Sequence, residues 1–444
     1  MGTLYIDTGG SATNSGSRDS NTAALSGTGA SNVGTTVNLP AGTDLSSVQT
    51  SGAAQDTIYL NDATNPNRKI FWITAKDDTL DTVTVDVEPT GLVSSSWAIG
   101  GRMVLTPANY EAGVRAGDRI ILNNSPASGS TDLITSRVAG NSTSGFITYV
   151  GKTGVRPVLT ITNTAQCLEL GAFAQLMFEN LELAQQGASG NCVTLAVNGQ
   201  SLLFYNLKIS DAGGSGVDAS ANVLRVIGCE ISGTGGDGFN FSTGGSWVCG
   251  TYIHDLTGDG IDLSYANQSM TLLNDIVDTT GGRGLYWSGA PSNTGQTLLI
   301  QGCTVYGCGN SGLEITDQDA QVILMNTILS ENGNAAGEYN VEWVAGDAEK
   351  VSFHAWNVFY HSGGGGGANL SNLTVNAQVA SSEFTTDPLF TDAAGGNFAI
   401  SSTSPAKATG FPGQFLGGSL GYLDIGAVQR QEPAGGGSQR VIGG

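Results

Sequence analysis

The chain has 444 residues, a net charge of −21 and 66 glycines, and only 12% of its residues are charged. This length accommodates two or three ordinary domains, or one long solenoid with a cap at each end. The acidity argues against nucleic acid as a partner, because no basic stripe is available to displace counterions from phosphates. An apolar fraction of 39% is sufficient for a core, so the composition does not indicate disorder.

The first residues, MGTLYIDTGG, contain no basic segment followed by an apolar run, and no stretch of about 18 apolar residues could cross a bilayer. We therefore expect no signal peptide, no membrane insertion and synthesis in the cytoplasm. The six cysteines form no CxxC pair and are expected to be buried free thiols. A metal site would need a tighter cluster of cysteines and histidines, so we predict no metal ion and no cofactor.

Residues 1–104 are predicted to form a small N-terminal β domain. Within it, the apolar runs at residues 70–73 and 83–87 flank the turn residues Asp77 and Asp78, which predicts a hairpin. Beyond this domain, Thr106 can cap a short helix that has Pro107 at its first position. Such a capping helix would cover the open end of a stack of strands, where apolar core and unpaired strand edges are otherwise exposed.

Residues 203–359 repeat one short phrase, exemplified by GCEISGTGGDGFNF. In each of five copies a β-branched residue lies seven places before a glycine. The five pairs are Ile209 and Gly216, Ile231 and Gly238, Ile253 and Gly260, Val277 and Gly284, and Val305 and Gly312. The glycines are 22 to 28 residues apart, and a period in this range predicts a solenoid.

Each corner glycine is followed by an apolar residue, an outward residue and a second apolar residue, as in Phe239, Asn240 and Phe241. This period of two predicts short strands, and stacking them at roughly 4.8 Å would form a continuous core. We therefore predict an all-β chain with a right-handed parallel β-helix over residues 105–430 and a glycine-rich C-terminal tail over residues 431–444. A leucine-rich horseshoe is the competing solenoid, but its Leu-x-x-Leu-x-Leu phrase is absent.

Two rows of carboxylates are candidates for chemistry. Asp237 and Asp259 precede corner glycines, and Asp218, Asp262 and Glu314 each lie two places after one. Glycoside hydrolysis requires such a pair of carboxylates, one as acid and one as nucleophile or base. The alternative is structural, because a Gly-Asp-Gly corner is also typical of an aspartate that caps its own turn.

Three outward tyrosines are the candidate glycan-binding residues: Tyr252, Tyr286 and Tyr306. Their rings could stack on sugars, or they could form an interface between chains. Packing beneath a loop is the ordinary alternative for each of them.

The C-terminal part carries four phrases: DPLF at residues 387–390, NFAI at 397–400, SPA at 404–406 and DIGA at 424–427. Together they resemble the closing coil of bacterial and phage right-handed β-helix proteins of the pectate-lyase-like superfamily. The phrase SSWAIGG at residues 95–101 resembles the leader of β-helix proteins carried by phages.

The resemblance implies the fold over roughly residues 105–430 and carries over no catalytic residue. Pectate lyases use acidic calcium ligands with an arginine or lysine base, and in the repeats only Arg283 lies near the acidic rows. The Asn-x-Asp, Asp-Asp and Gly-His-Gly phrases of polygalacturonases are absent.

Our leading hypothesis is a non-enzymatic bacteriophage virion protein: a spike, a fibre or a capsid decoration. Its β-helix would serve assembly or the binding of host-surface polysaccharide. We expect it to be made in the cytoplasm of the bacterial host, to form a homotrimer and to contact other virion proteins. The alternative is a tailspike depolymerase, a hydrolase or lyase that cleaves host polysaccharide with Asp237, Asp259 and Asp262. A cell-surface adhesin is disfavoured, because no export signal is visible.

Overall fold

The protein is described by a computed structural model that divides into two compact units, residues 1–184 with 198–203 and residues 185–197 with 204–444. The described residues are 3–6, 15–20, 23–52, 54–60, 70–89, 92, 95–100, 114–123, 125, 134, 140, 143–170, 175–195, 201–220, 223–242, 245–263, 269–288, 296–316, 321–333, 338–343, 352–362, 370–371, 377–378, 383–411 and 424–429.

The first unit contains a closed antiparallel barrel with strand order β2-β3-β6-β5-β4-β7. Its strands are β2 (Leu25–Val33), β3 (Thr36–Asn38), β4 (Thr57–Leu60), β5 (Ile70–Asp77), β6 (Thr82–Val85) and β7 (Ser95–Ile99). The barrel encloses an apolar core that includes Phe71 and Ile99. The predicted hairpin is confirmed as β5 and β6, which pair antiparallel.

The first unit also contains parallel strands. Strand β1 (Thr3–Ile6) pairs with β8 (Arg119–Leu122), which pairs with β9 (Ile147–Gly151), and β12 (Leu176–Glu179) follows in the same sheet. Three more strands occur along this part of the chain: β10 (Val158–Ile161) and β11 (Leu168–Leu170) between β9 and β12, and β13 (Glu182–Gln185) after β12. The start of the chain thus joins a parallel sheet and not the barrel.

Several predicted features fall outside the described residues. The predicted boundaries at residues 104 and 430 lie there, as do the tail at 431–444 and the helix expected at Thr106 and Pro107. In the described part of the chain the only helical element is a 3-10 turn at Ala393–Gly395, so a capping helix is not supported. No helix described here has the length and apolarity that crossing a membrane requires.

The second unit is a coil of short parallel strands in three sheets, which we call S1, S2 and S3 in the order in which the chain visits them. Sheet S1 contains β18 (Leu224–Ile227), β21 (Trp247–Cys249), β24 (Met270–Leu273), β27 (Thr297–Gln301), β30 (Gln321–Met325), β33 (Ser352–Ala355) and β36 (Ala377–Gln378). Strand β15 (Leu202–Tyr205) precedes these in the sequence.

Sheet S2 contains β16 (Lys208–Ser210), β19 (Glu230–Ser232), β22 (Tyr252–Leu256), β25 (Ile276–Thr280), β28 (Thr304–Tyr306), β31 (Ile328–Ser330) and β34 (Val358–Tyr360). Sheet S3 contains β14 (Val193–Leu195), β17 (Val217–Ala219), β20 (Phe239–Phe241), β23 (Ile261–Asp262), β26 (Leu285–Trp287), β29 (Leu313–Ile315), β32 (Val341–Trp343) and β35 (Leu370–Ser371). This confirms the predicted parallel β-solenoid.

The corner glycines are required by lack of space. A Cβ atom on Gly238 would lie 2.8 Å from Cγ2 of Ile253 and 2.6 Å from the carbonyl oxygen of Gly260, both in the next coil. The backbone at Gly238 is not left-handed. The β-branched residue and the glycine of the repeated phrase therefore contact each other between successive coils, which explains their fixed offset.

Inside the coil, equivalent apolar residues stack in register, as the period of two predicts. Phe239 pairs with Ile261, which pairs with Leu285, and all three are buried. All six cysteines are free, and five of them are buried, which agrees with the expectation of apolar thiols.

A C-terminal hairpin packs on the outer face of S2. It consists of β37 (Phe390–Asp392) and β38 (Asn397–Ile400), which pair antiparallel. Its Ile400 and the following Ala406 and Ile425 form an apolar cluster with Ile328 and Val358 of S2. The phrases that resemble a closing coil therefore cover part of this sheet.

Candidate functional site

The outer face of S3 carries a row of polar side chains in strict register. Asp218 pairs with Asn240, then come Asp262, Tyr286, Glu314 and Glu342, one from each successive coil. The corner before this sheet adds Asp237 and Asp259, and the loop before β32 adds Glu338. We call the seven carboxylates the acidic face: Asp218, Asp237, Asp259, Asp262, Glu314, Glu338 and Glu342.

The corner aspartates link one coil to the next. Oδ1 of Asp237 accepts a hydrogen bond of 2.8 Å from the backbone N–H of Asp259, and Oδ1 of Asp259 accepts one of 2.6 Å from the N–H of Arg283. Oδ1 of Asn191 likewise accepts a hydrogen bond of 2.9 Å from the backbone N–H of Ser215. The capping function that the sequence suggested is therefore present, but each side chain caps the following coil and not its own turn.

Arg283 neutralises the middle of the acidic face. Its Nη2 and Nε lie 2.8 Å and 3.2 Å from the two carboxylate oxygens of Asp259, and Nη1 lies 3.1 Å from Oε1 of Glu314. The guanidinium also lies 3.4 Å from the centre of the Tyr286 ring. Since both oxygens of Asp259 are bound to Arg283, Asp259 is less available for chemistry than Asp237.

Asp237 is the member of the acidic face best suited to hold a proton. Burial raises the pKa of Asp237 to about 6, although the hydrogen bond from the backbone of Asp259 acts to lower it. The negative charges of Asp259 and Asp262 raise this pKa further. Burial also raises the pKa values of Asp218 and Glu314. A hydrogen bond from Asn191 partly offsets the effect at Asp218, and the charge of Arg283 partly offsets it at Glu314. A protonated acid beside carboxylates is the arrangement that acid-base chemistry on a glycosidic bond needs.

Three glutamates converge at the far end of the acidic face. Carboxylate oxygens of Glu314, Glu338 and Glu342 lie within 4.8 Å of one another. The Ser311 hydroxyl oxygen lies within hydrogen-bond distance of both neighbours, 2.7 Å from a carboxylate oxygen of Glu342 and 3.0 Å from one of Glu338. Carboxylate oxygens are ligands of the type that binds Ca²⁺. The sequence analysis predicts no metal site, and the absence of a metal ion here stays a prediction.

The three candidate tyrosines do not share one face. Tyr286 lies on the acidic face, whereas Tyr252 and Tyr306 lie on S2. The Tyr306 ring packs against Phe390 and Phe398 of the C-terminal hairpin, which is the packing alternative considered for it. A glycan-binding role for all three residues stays a prediction.

Beside Tyr252 lies a buried carboxylate that the sequence analysis did not single out. The Tyr252 hydroxyl donates to Oδ2 of Asp278 at 3.2 Å, and its ring stacks on His254 with 4.1 Å between centroids. Burial raises the pKa of Asp278 to about 6. The repeat register could have pointed to Asp278, because this residue pairs with His254 in the preceding coil and with Tyr306 in the next.

Comparison with known proteins identifies the coil. Residues 158–295 and 191–356 match the family model described as the right-handed β-helix region. Pectate lyase Pel9A is similar in structure, with a TM-score of 0.55 and 16% identity over 74% of this chain and 92% of that chain. The chain contains a right-handed β-helix that is similar in fold to this pectate lyase. A search of curated proteins finds no match.

Two further solved structures are less similar. The catalytic unit of the GH87 α-1,3-glucanase from Streptomyces thermodiastaticus strain HF3-3 has a TM-score of 0.32 and 12% identity, over 82% of this chain and 87% of that chain. The Gp54 tailspike of Acinetobacter baumannii bacteriophage AP22 has a TM-score of 0.21 and 9% identity, over 81% of this chain and 66% of that chain. Scores this low carry no argument about the function of this β-helix.

Proposed function

We propose that the protein is a bacteriophage virion component whose β-helix binds an extended host-surface polysaccharide along the acidic face. The observation that carries the proposal is the in-register row from Asp218 to Glu342, in which equivalent outward side chains repeat once per coil. Steps of roughly 4.8 Å give a linear polymer repeated polar partners. Carboxylates accept hydrogen bonds from sugar hydroxyls, and Tyr286 adds an aromatic ring.

The virion setting rests on sequence resemblance. The SSWAIGG phrase at residues 95–101 resembles the leader of phage-borne β-helix proteins, and the four C-terminal phrases resemble the closing coil of bacterial and phage β-helix proteins. In this setting we expect the chain to act as a homotrimer and to contact other virion proteins. Mass spectrometry of purified particles of the encoding phage tests this directly, and their lack of the chain would refute the virion assignment.

Binding is tested with a panel of immobilised host-surface polysaccharides and the purified full chain. Asp262→Asn keeps the size of the side chain and removes a carboxylate from the acidic face, so we expect it to weaken binding at least several-fold. The matched control is Asp255→Asn in the same coil, because Asp255 is an exposed aspartate on S2. Equal loss of binding in both variants, or none in Asp262→Asn, would contradict the proposed surface.

A second candidate function, hydrolysis of the bound polysaccharide, is favoured by the raised pKa of Asp237 beside Asp262. Protonated Asp237 would donate its proton to the departing glycosidic oxygen as the bond to the anomeric carbon breaks. The Asp262 carboxylate would act as base towards the attacking water or as nucleophile. Asp259, held by Arg283, would position the pair.

Release of reducing ends from each polysaccharide tests this candidate. Asp237→Asn is expected to lower the rate by about 100-fold or more, the usual contribution of a positioned acid. The Asp255→Asn variant should keep the wild-type rate. Binding without any release of reducing ends would contradict the hydrolase function and leave only the binding function.

A further inference from the structure

The outer face of S1 is mainly apolar over five successive coils. One column of in-register outward residues contains Trp247, Leu299 and Ile323, with Arg225 and Thr271 at its other two positions. The neighbouring column contains Ile227, Leu273 and Met325, with Cys249 and Gln301 at its other two positions. We call the six large apolar residues of the two columns the apolar face.

The side chains of the apolar face point away from the solenoid core, because the residues that alternate with them are the buried ones. Trp247 is 53% exposed and Ile227 is 38% exposed, and the other four are half-buried. Contiguous exposed apolar surface on a soluble protein marks an interaction site.

The other two outer faces of this unit differ from S1. S3 presents the acidic face, and S2 is partly covered by the C-terminal hairpin. In the described strands of S1 that belong to this unit, Arg225 is the only Asp, Glu, Lys or Arg, and its guanidinium lies 6.0 Å from the ring of Trp247. The described strands of this face therefore contribute none of the negative charge that dominates the chain.

We propose that the apolar face is the surface on which a second copy of this chain packs. With a net charge of −21, two copies repel each other unless they meet where acidic groups are absent. The apolar face meets that condition, whereas the acidic face does not. Charge thus selects which surface two identical chains can share.

Geometry favours the same occupant. Parallel strands in register give each copy the same array with a repeat of roughly 4.8 Å. A three-fold axis parallel to the coil axis turns the apolar face of each copy of a homotrimer towards the axis and keeps the repeats of neighbouring copies matched. Trp247 and Leu299 are the anchors that such a contact would bury.

The mass of the purified full chain in solution, measured by light scattering, tests the inference. One chain has a mass of 45.3 kDa, so an assembly is recognised as a multiple of this value. We expect the wild type to be a multiple and Leu299→Glu to be a single chain. The matched control is Asn240→Glu, at an outward position of S3, which should keep the wild-type mass.

A second variant keeps the test decisive if Leu299→Glu fails to fold. Ile227 is already exposed, so Ile227→Glu should fold, as circular dichroism can verify, and should dissociate the assembly. A wild type with the mass of one chain would overturn the inference. So would a folded Ile227→Glu and a folded Leu299→Glu that both keep the wild-type mass.

This inference rests on the homo-oligomeric part of the proposed function, and its failure is distinguishable from failure of glycan binding. The same variants are assayed on the polysaccharide panel. Monomeric Leu299→Glu that still binds glycan locates the chain contact on S1 and leaves the acidic face as the glycan surface. If only Trp247→Ala loses glycan binding and the mass is unchanged, a sugar occupies the apolar face and the inference is wrong.

Discussion

The carboxylate of Asp237 accepts a hydrogen bond of 2.8 Å from the backbone amide of Asp259, one coil further along the β-helix. The same carboxylate is the one whose pKa burial raises to about 6. A single side chain therefore joins two coils and holds an exchangeable proton near neutral pH. Structural capping and acid catalysis are compatible here, because one oxygen accepts the backbone bond and the other can carry the proton.

If the protein cleaves glycan, its pH dependence should report Asp237. A general acid must be protonated, so kcat/KM is expected to fall as the pH rises through about 6, the pKa of Asp237. Reducing-end assays between about pH 4 and pH 8 measure this limb. Activity that rises through this range would assign Asp237 as a base or as a structural residue.

Removing the guanidinium of Arg283 should destabilise the β-helix. Arg283→Leu leaves the buried Asp259 carboxylate without the guanidinium and with only the backbone N–H of residue 283, and removing one charge of such a pair costs about 3 kcal/mol or more. The matched control is Lys208→Leu, because the Lys208 and Glu230 pair is half-exposed at 3.4 Å and contributes about 0 to 1 kcal/mol. Urea unfolding of both variants provides the measurement, and equal losses would mean that Asp259 is not held as described.

The repeats were predictable because their information is local. The offset from Ile253 to Gly260 and the alternation after each glycine report sterics and strand period within one coil, so the sequence predicts the core, the outward row and the positions of Asp237, Asp259 and Asp262. The contacts between coils follow from the same spacing.

Contacts that join distant segments were not predictable. Tyr306 reads as an outward residue, but Phe390 and Phe398 reach it from a segment that no periodicity connects to S2. Glu338 joins Glu314 and Glu342 from a loop whose length follows no repeat. Such proximity depends on how loops fold back onto the coil, and single-sequence spacing contains no measure of it.

The corner glycines should tolerate no side chain. In Gly238→Ala the new methyl group would meet the Ile253 side chain at 2.8 Å and a backbone carbonyl at 2.6 Å, so the next coil must shift. We expect a loss of about 1 to 3 kcal/mol, as for overpacked cores. Asn240→Ala in the same coil changes an outward side chain and serves as the control. Thermal unfolding followed by circular dichroism compares them, and equal midpoints would show that the coils can separate without cost.

The stability of the β-helix should fall as the pH rises, because of Asp275. This residue is 1% exposed, and burial raises its pKa to about 8 against hydrogen bonds from the amides of Thr251 and Leu273. An unfolded aspartate has a pKa of about 3.9. The folded state therefore holds the proton more tightly, and the stability is fully present below about pH 4 and is lost as the pH rises through about 8. The full difference is on the order of 5 kcal/mol.

Asp275→Asn should abolish most of this pH dependence. Asn357 occupies the equivalent position three coils later, where Oδ1 accepts from the amide of Thr327 at 3.0 Å and Nδ2 donates to the carbonyl of Leu324 at 2.9 Å. An asparagine therefore fits this corner and cannot ionise. Unfolding midpoints at about pH 5 and pH 8 should differ for the wild type and for Asp255→Asn, an exposed control, and coincide for Asp275→Asn. A pH dependence that survives in Asp275→Asn would transfer the effect to Asp237 and Asp278, two carboxyls whose pKa burial raises to about 6.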